Sequence, residues 1–126
     1  KFFKVYVRAY KRAGGKKITL AKTIDVHVVG SKNTKFTNVK AVKVKKNAYT
    51  LKKGKTATIK AGTVLADKGK KQLTDKHTKE FRYATTNKKV ATVSKKGKIK
   101  AVGKGSCTIY VYARNGYAKK VKVKVK

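Results

Sequence analysis

The chain has 126 residues, of which 37 are Lys or Arg and only 4 are Asp or Glu, so its formal net charge is +33. This imbalance favours disorder, but 40% of the residues are hydrophobic, and Val, Ile, Thr and Tyr alternate with Lys as in half-buried strands. A single cysteine excludes an intramolecular disulfide, and no apolar run approaches the roughly 20 residues of a membrane span. No signal peptide or Met precedes the first strand pattern, so we expect an excised part of a longer protein.

Residues 1–29 are predicted to form a two-stranded β-hairpin. Apolar residues alternate with cationic and aromatic ones in both halves, and Gly14-Gly15 supplies a turn between them. Because two strands alone are marginal in water, the hairpin needs a partner sheet. We expect the sandwich or a second copy of the chain to bury its apolar residues, which are Phe3, Val5, Val7, Ile24, Val26 and Val28.

The polar segment 30–37 is predicted to be a linker, and short strands follow it. We predict these strands over 39–44, 49–51, 56–66, 81–85, 90–93, 99–102, 107–113 and 119–126. Glycines supply most of the turns, and Asn115-Gly116 is typical of a two-residue hairpin turn. Segment 67–80 is polar, and 75–80 could form one helical turn. Strands near ten residues apart, without a helical period, predict an all-β sandwich.

Three motifs within residues 38–126 resemble the bacterial immunoglobulin-like domain of group 2. Segment 51–59 is similar to L-x-x-G-x-T-x-x-I, segment 83–93 to x-S-S-N-x-x-V-A-T-V, and segment 97–109 to G-x-V-x-A-x-x-x-G-x-x-x-I. The chain departs from the family at Tyr83, where Trp is common, and in the longer insertion 67–80. The resemblance implies an immunoglobulin-like β-sandwich, preceded here by the two-stranded hairpin. It also implies extracellular repeats of bacterial surface proteins, which are often adhesive and frequently serve as spacers.

The hairpin resembles the last two strands of a fibronectin type III domain, through the segment VYVRAYK at 5–11. We therefore assign 1–29 as the C-terminal remnant of such a domain, 30–37 as a linker and 38–126 as the immunoglobulin-like domain.

Candidate catalytic and metal-binding residues are few. Asp67 and Glu80 could form an acid–base pair, or with Asp75 a Ca²⁺ site, but a polar loop with local lysine partners is favoured. His27 and His77 lie in separate modules. Cys107 falls on the apolar face of its strand, which indicates a small core residue. We expect no enzymatic activity, no metal and no cofactor.

The last strand carries Lys119, Lys120, Lys122, Lys124 and Lys126, called here the lysine stripe. It indicates either polyanion binding or a solvated strand face whose charge discourages edge pairing. Specific nucleic-acid binding is not expected, because Arg is scarce and the lysines are spread over the whole chain. Tyrosines that could stack on bases are interpreted as covering the second face of a sheet; they are Tyr6, Tyr10, Tyr110 and Tyr112.

These features predict a structural or adhesive module of a secreted or cell-wall-associated protein. It would act as a spacer between neighbouring β domains of the same polypeptide, with diffuse cationic attachment to the anionic envelope or to host glycans. Alternatives are a dedicated polyanion-binding module and a non-catalytic accessory domain of a secreted hydrolase. We expect no membrane span, and the hairpin could support self-association.

Overall fold

The computed structural model describes residues 1–23, 25–74 and 79–126, and all of its regular elements are β-strands, so the all-β prediction is confirmed. In chain order the strands are β1 (Phe2–Val5), β2 (Arg8–Ala13), β3 (Lys16–Lys22), β4 (Val26–Val29), β5 (Phe36–Thr37), β6 (Val39–Val44), β7 (Ala48–Leu51), β8 (Thr56–Thr58), β9 (Ala61–Leu65), β10 (Lys71–Gln72), β11 (Phe81–Thr85), β12 (Ala91–Val93), β13 (Lys98–Ala101), β14 (Gly105–Ala113) and β15 (Ala118–Val125).

Two layers form the sandwich. One is a four-stranded sheet in the order β11-β14-β15-β7, in which β7 runs parallel to β15. The other contains the three-stranded sheet β12-β13-β8 and the pair β6-β9. From Cys107 along β14 and from Val121 along β15, every second residue is buried, because successive side chains of a strand point to opposite faces. The layers therefore meet through the alternating apolar residues.

The core is built from small and β-branched side chains. Ile99, Ile109, Val111 and Val121 have no solvent-exposed surface, and Val123 is similarly enclosed. Cys107 is buried among them, as its strand position predicts. Branched aliphatic residues suit a pleated surface that is covered by a second sheet.

The predicted strand 56–66 is wrong as a single element. β8 ends at Thr58 and pairs with β13, whereas β9 begins at Ala61 and pairs with β6. Between them the Ile59 amide donates to Gly97 O at 2.9 Å, and Lys60 O accepts from the Lys45 amide at 2.9 Å. The chain thus changes pairing partners here, although its apolar alternation continues.

The segment 30–37, predicted as a linker, ends in the short strand β5. This strand pairs in parallel with β10, which lies inside the polar segment 67–80. The predicted helical turn 75–80 lies largely outside the described residues.

The predicted two-residue turn at Asn115-Gly116 is also wrong. The Ala113 amide donates to Tyr117 O at 2.8 Å, and the Gly116 amide donates to Ala113 O at 3.0 Å. Three residues, 114–116, therefore connect β14 to β15, and Gly116 takes the positive φ of +89° that closes such a loop. This loop sets the register in which Tyr110 lies opposite Lys120.

The N-terminal hairpin forms in two parts, β1 with β4 and β2 with β3. Gly14 and Gly15 both have positive φ, of 56° and 75°, as a tight two-residue turn requires. The Thr23 amide donates to Val7 O at 2.9 Å and joins the two parts.

The sandwich buries the hairpin only in part, and burial against a second copy stays a prediction. Val26 and Val28 are half-buried, but Phe3, Val5 and Val7 remain 49%, 48% and 68% exposed. Every residue of β2 and β3 is exposed, because no second layer among the described residues covers them. Ile24 lies outside the described residues.

The base of the hairpin is held to the sandwich through β4. Asn38 makes two bonds with Val29: its Oδ1 accepts from the Val29 amide at 2.8 Å, and its Nδ2 donates to Val29 O at 2.7 Å. The His27 amide donates to Arg114 O in the loop 114–116 at 2.8 Å. This attachment positions the hairpin beside one end of β14 and β15.

Candidate binding surface

The lysine stripe lies mainly on the outer face of the four-stranded sheet. Lys120, Lys122 and Lys124 are exposed and alternate with the buried valines of β15, and Lys126 follows them with the same exposure. Lys119 falls on the valine face, opposite Val111, but it is exposed at the start of the strand. The structure thus brings four of the five predicted lysines together in one row.

Two tyrosines share this face, although sequence spacing alone does not connect them with the stripe. The rings of Tyr110 and Tyr112 are stacked, with centroids 5.9 Å apart and planes at 19°. Lys120 Nζ lies 5.9 Å from the Tyr110 ring centroid, within reach of a cation–π contact. Next along the register, Lys122 lies opposite Thr108 and Lys124 opposite Ser106. The surface therefore combines lysines, hydroxyl groups and a stacked pair of tyrosine rings.

More lysines extend the positive surface around the start of β15. Lys119 lines one shallow depression with Lys43, Lys45 and Lys46, and another with Lys120 and Lys122. Within the described residues, the carboxylates of Asp25 and Asp67 pair with lysines outside this surface. Like charges close together repel, so an anion bound here would relieve the repulsion.

Asp25 forms a separate charged cluster at the base of the hairpin. Lys4 Nζ lies 2.8 Å from Asp25 Oδ2, and Lys22 Nζ lies 2.9 Å from Oδ1. Hydrogen bonds from Lys4 and then Lys22 lower the pKa of Asp25 to about 2. The Arg82 guanidinium of β11 donates to the Asp25 carbonyl. This carboxylate therefore tethers β1 and β3 beside β4, and the backbone next to it tethers β11.

Comparison with family models gives a match to the bacterial Ig-like domain (group 2) over residues 38–125. The chain belongs to this family. The match covers the sandwich and leaves the hairpin outside it.

Solved structures with the same fold include S-layer protein domains. The chain has a TM-score of 0.55 and 22% identity with domains 4 and 5 of the S-layer protein SbsC, covering 84% of this chain and 59% of that one. Domains 1–6 of SbsC give a TM-score of 0.54 and 23% identity, and the match covers 81% of this chain and 14% of that one. The structure of rSbsC gives a TM-score of 0.55 and 18% identity, and the match covers 99% of this chain and 20% of that one. The chain thus spans less than two thirds of these proteins, and the likeness shows the fold. Comparison with curated proteins finds no match.

The candidate catalytic residues of this Ig-like domain make local contacts. Asp67 Oδ1 accepts from the Gly69 amide at 2.9 Å, and Asp67 Oδ2 lies 3.5 Å from Lys70 Nζ. Glu80 accepts from Gln72 at 3.5 Å. These contacts are those of a polar loop.

The structure also places the candidate metal and thiol residues. Cys107 Sγ lies 3.8 Å from the Thr85 hydroxyl, and Asp75 and His77 lie outside the described residues. In the part of the chain that is described, no three His, Cys, Asp or Glu side chains come together as metal ligands would. That part likewise contains no helix long and apolar enough to cross a bilayer.

Proposed function

We propose that the chain is a non-catalytic structural module of a bacterial extracellular or cell-surface protein. It acts as a spacer and adds diffuse cationic attachment to anionic polymers of the envelope or to host glycans. Family membership supports the structural role, and the net charge of +33 supports the attachment. The observation that carries the proposal is the row of exposed lysines on the outer face of β15.

The path of the chain through the sandwich supports a spacer. The chain enters β6 beside the loop 114–116, where Asn115 Nδ2 donates to Val39 O at 2.6 Å. From that loop the 8 residues of β15 run to the opposite end of the sheet, a distance of about 25 Å at the usual rise per residue. Segments joined before β6 and after β15 would therefore be held apart by the length of the sandwich.

The charge distribution supports attachment to polyanions. Surface lysines separated by more than about 8 Å interact weakly at physiological salt, so the domain tolerates its charge while an anionic polymer gains many weak contacts. Such binding is salt-sensitive, because each phosphate or sulfate contact releases counterions.

A dedicated polyanion-binding module is the second candidate, and one observation favours it. Tyr110 and Tyr112 form a stacked pair on the same face of the sheet as the lysine stripe, so a sugar or another flat group could pack beside the bound anion. In that case each charge of the lysine stripe contributes more to polyanion binding than a charge elsewhere on the surface.

Heparin-column retention of matched variants tests the proposal. The first variant is K120Q/K122Q/K124Q, and the control K52Q/K53Q/K55Q removes the same charge from the exposed turn between β7 and β8. Diffuse attachment predicts that both variants elute earlier by the same amount of salt. A dedicated site predicts that only the first variant elutes markedly earlier.

Wild-type protein that elutes below about 0.15 M salt would contradict attachment altogether, since physiological ionic strength would then abolish it. Circular dichroism of both variants checks that their folds are unchanged.

A further inference from the structure

A cleft of about 490 Å³ lies between the hairpin base and the edge of the sandwich. This volume falls within the range of about 300–1,000 Å³ that is usual for ligand pockets. β11 forms one wall and is an edge strand of its sheet. The hairpin base and the turn that follows β12 form the others.

Aromatic and apolar side chains that pack against the sandwich core form one wall of the cleft. Phe81 and Tyr83 are half-buried, and Val93 lies beside them. The Tyr83 ring packs on Gly97, where an added Cβ would lie only 2.8 Å from Tyr83 Cζ. The Tyr83 phenol is protonated at neutral pH, as an ordinary tyrosine is, and can donate a hydrogen bond; burial raises its pKa further.

The rim of the cleft is cationic. Lys4, Lys79, Arg82 and Lys95 line it, against the single carboxylate of Asp25. That carboxylate is already paired with two lysines, so the cleft retains excess positive charge.

Arg82 lines the cleft with a guanidinium that is only partly hydrogen-bonded. Its Nη2 group donates to the Asp25 carbonyl, which fixes the guanidinium. Its Nε atom is buried and has no hydrogen-bond partner among the described residues. Buried donors of this kind normally have partners, and the planar guanidinium suits carboxylate and sulfate groups.

We propose that this cleft binds an acidic sugar residue of a polysaccharide. The acidic group binds to Arg82 and Lys95, and the sugar ring packs against Phe81 and Tyr83. An acidic peptide fits less well, because only three consecutive residues of β11 line the cleft and an added strand would need a longer open edge. The inference rests on the proposed attachment to anionic polymers and gives it a second, more selective site.

The test is an NMR titration of the whole chain with a hyaluronan tetrasaccharide, and chitotetraose is the uncharged match. We expect amide shifts confined to 81–83 and 94–95 with the acidic probe, and none with the neutral one. Arg82→Gln and Lys95→Gln should each weaken binding about tenfold, because a charge-assisted hydrogen bond to the anion is lost. Lys95 lies on an exposed turn, so its variant keeps the test valid if the Arg82 variant is unstable.

The control is Lys52→Gln on the exposed turn between β7 and β8, which removes one lysine charge and should leave the tetrasaccharide affinity unchanged. Equal shifts with both sugars, or shifts centred on β15, would overturn the inference. If heparin retention depends on charge as proposed but the tetrasaccharide causes no shifts, the cleft fails and the diffuse attachment stands. If the tetrasaccharide binds in the cleft while heparin is not retained, the inference about the cleft holds without the attachment.

Discussion

Replacement of Gly97 by Ala should destabilise the domain strongly. Gly97 has a φ of +80°, which costs an L-residue about 1–2 kcal/mol. The added Cβ would also lie 2.8 Å from Tyr83 Cζ and 3.1 Å from Cε1. Tyr83 packs against the core, so its ring must shift to make room, and such overpacking costs about 1–3 kcal/mol. We therefore expect a total loss of about 2–5 kcal/mol in the free energy of unfolding.

Gly54 provides a matched control. Its φ is +83°, but nothing lies within 4 Å of an added Cβ. Gly54→Ala therefore has only the backbone cost of about 1–2 kcal/mol. Urea denaturation followed by circular dichroism measures both variants, and the difference between them reports the contact with Tyr83.

Equal losses for the two variants would refute the argument that Tyr83 packs tightly on this turn. A double variant provides a second check, because Tyr83→Leu removes the ring atoms that Gly97→Ala would meet. The two substitutions should therefore be non-additive, with the double variant losing less than the sum of the single losses.

Four further outcomes are expected. Ile109→Ala should cost about 2–5 kcal/mol in urea denaturation because Ile109 is fully buried, whereas Ile18→Ala, at a site 43% exposed on the hairpin, should cost less than about 0.5 kcal/mol; similar losses would contradict the uncovered hairpin. The Cys107 thiol should react with a chromogenic disulfide reagent only after unfolding, since it is buried. The pKa of Asp25 is lowered to about 2, so its ion pairs stabilise the hairpin base above the unfolded pKa of about 4 and lose this effect as the pH falls through about 2. NMR of hairpin amides should show that loss in wild type and not in Asp25→Asn. Finally, the melting temperature should rise between about 10 mM and 150 mM salt, because the screening length shortens from about 30 Å to about 8 Å and the like charges repel each other less. A constant or falling melting temperature would contradict self-repulsion.

The sequence predicts the sandwich well where alternation and burial coincide. Val121, Val123 and Val125 are buried where their spacing places them. Alternation fails to reveal where a strand changes partners, because Ala57 and Ala61 look like one face of one strand. The change at residues 59–60 depends on distant pairing with β13 and β6.

Alternation also fails to show whether a face is covered. Phe3, Val5 and Val7 lie on an apolar face by their spacing, yet they remain about half exposed or more. The local sequence of the hairpin does not indicate whether a second layer covers its apolar face. The cleft could not be predicted for the same reason, since Arg82 meets the Asp25 carbonyl across 57 positions of chain.

The turn between β14 and β15 shows that a usable signal was present. The buried residues Ile109 and Val111 occupy odd positions, and so do Val121 and Val123. Residues opposite each other share a face, so the paired numbers must both be odd or both be even. A two-residue turn at 115–116 would place Tyr110 opposite Val121 and violate this condition, because a slip of one residue reverses the faces.

Lysines near the sheet edges bear on how the sheet can associate with other molecules. Exposed strand edges invite pairing with other strands, and charged residues along an edge oppose it. Here β7 and β11 are the edges of the larger sheet. Lys45 and Lys46 precede β7, and Lys79 and Lys95 lie beside β11. Two such edges of different copies would repel each other, whereas a polyanion would neutralise both. The charge pattern therefore disfavours association through these edges and agrees with the proposed attachment to acidic polymers.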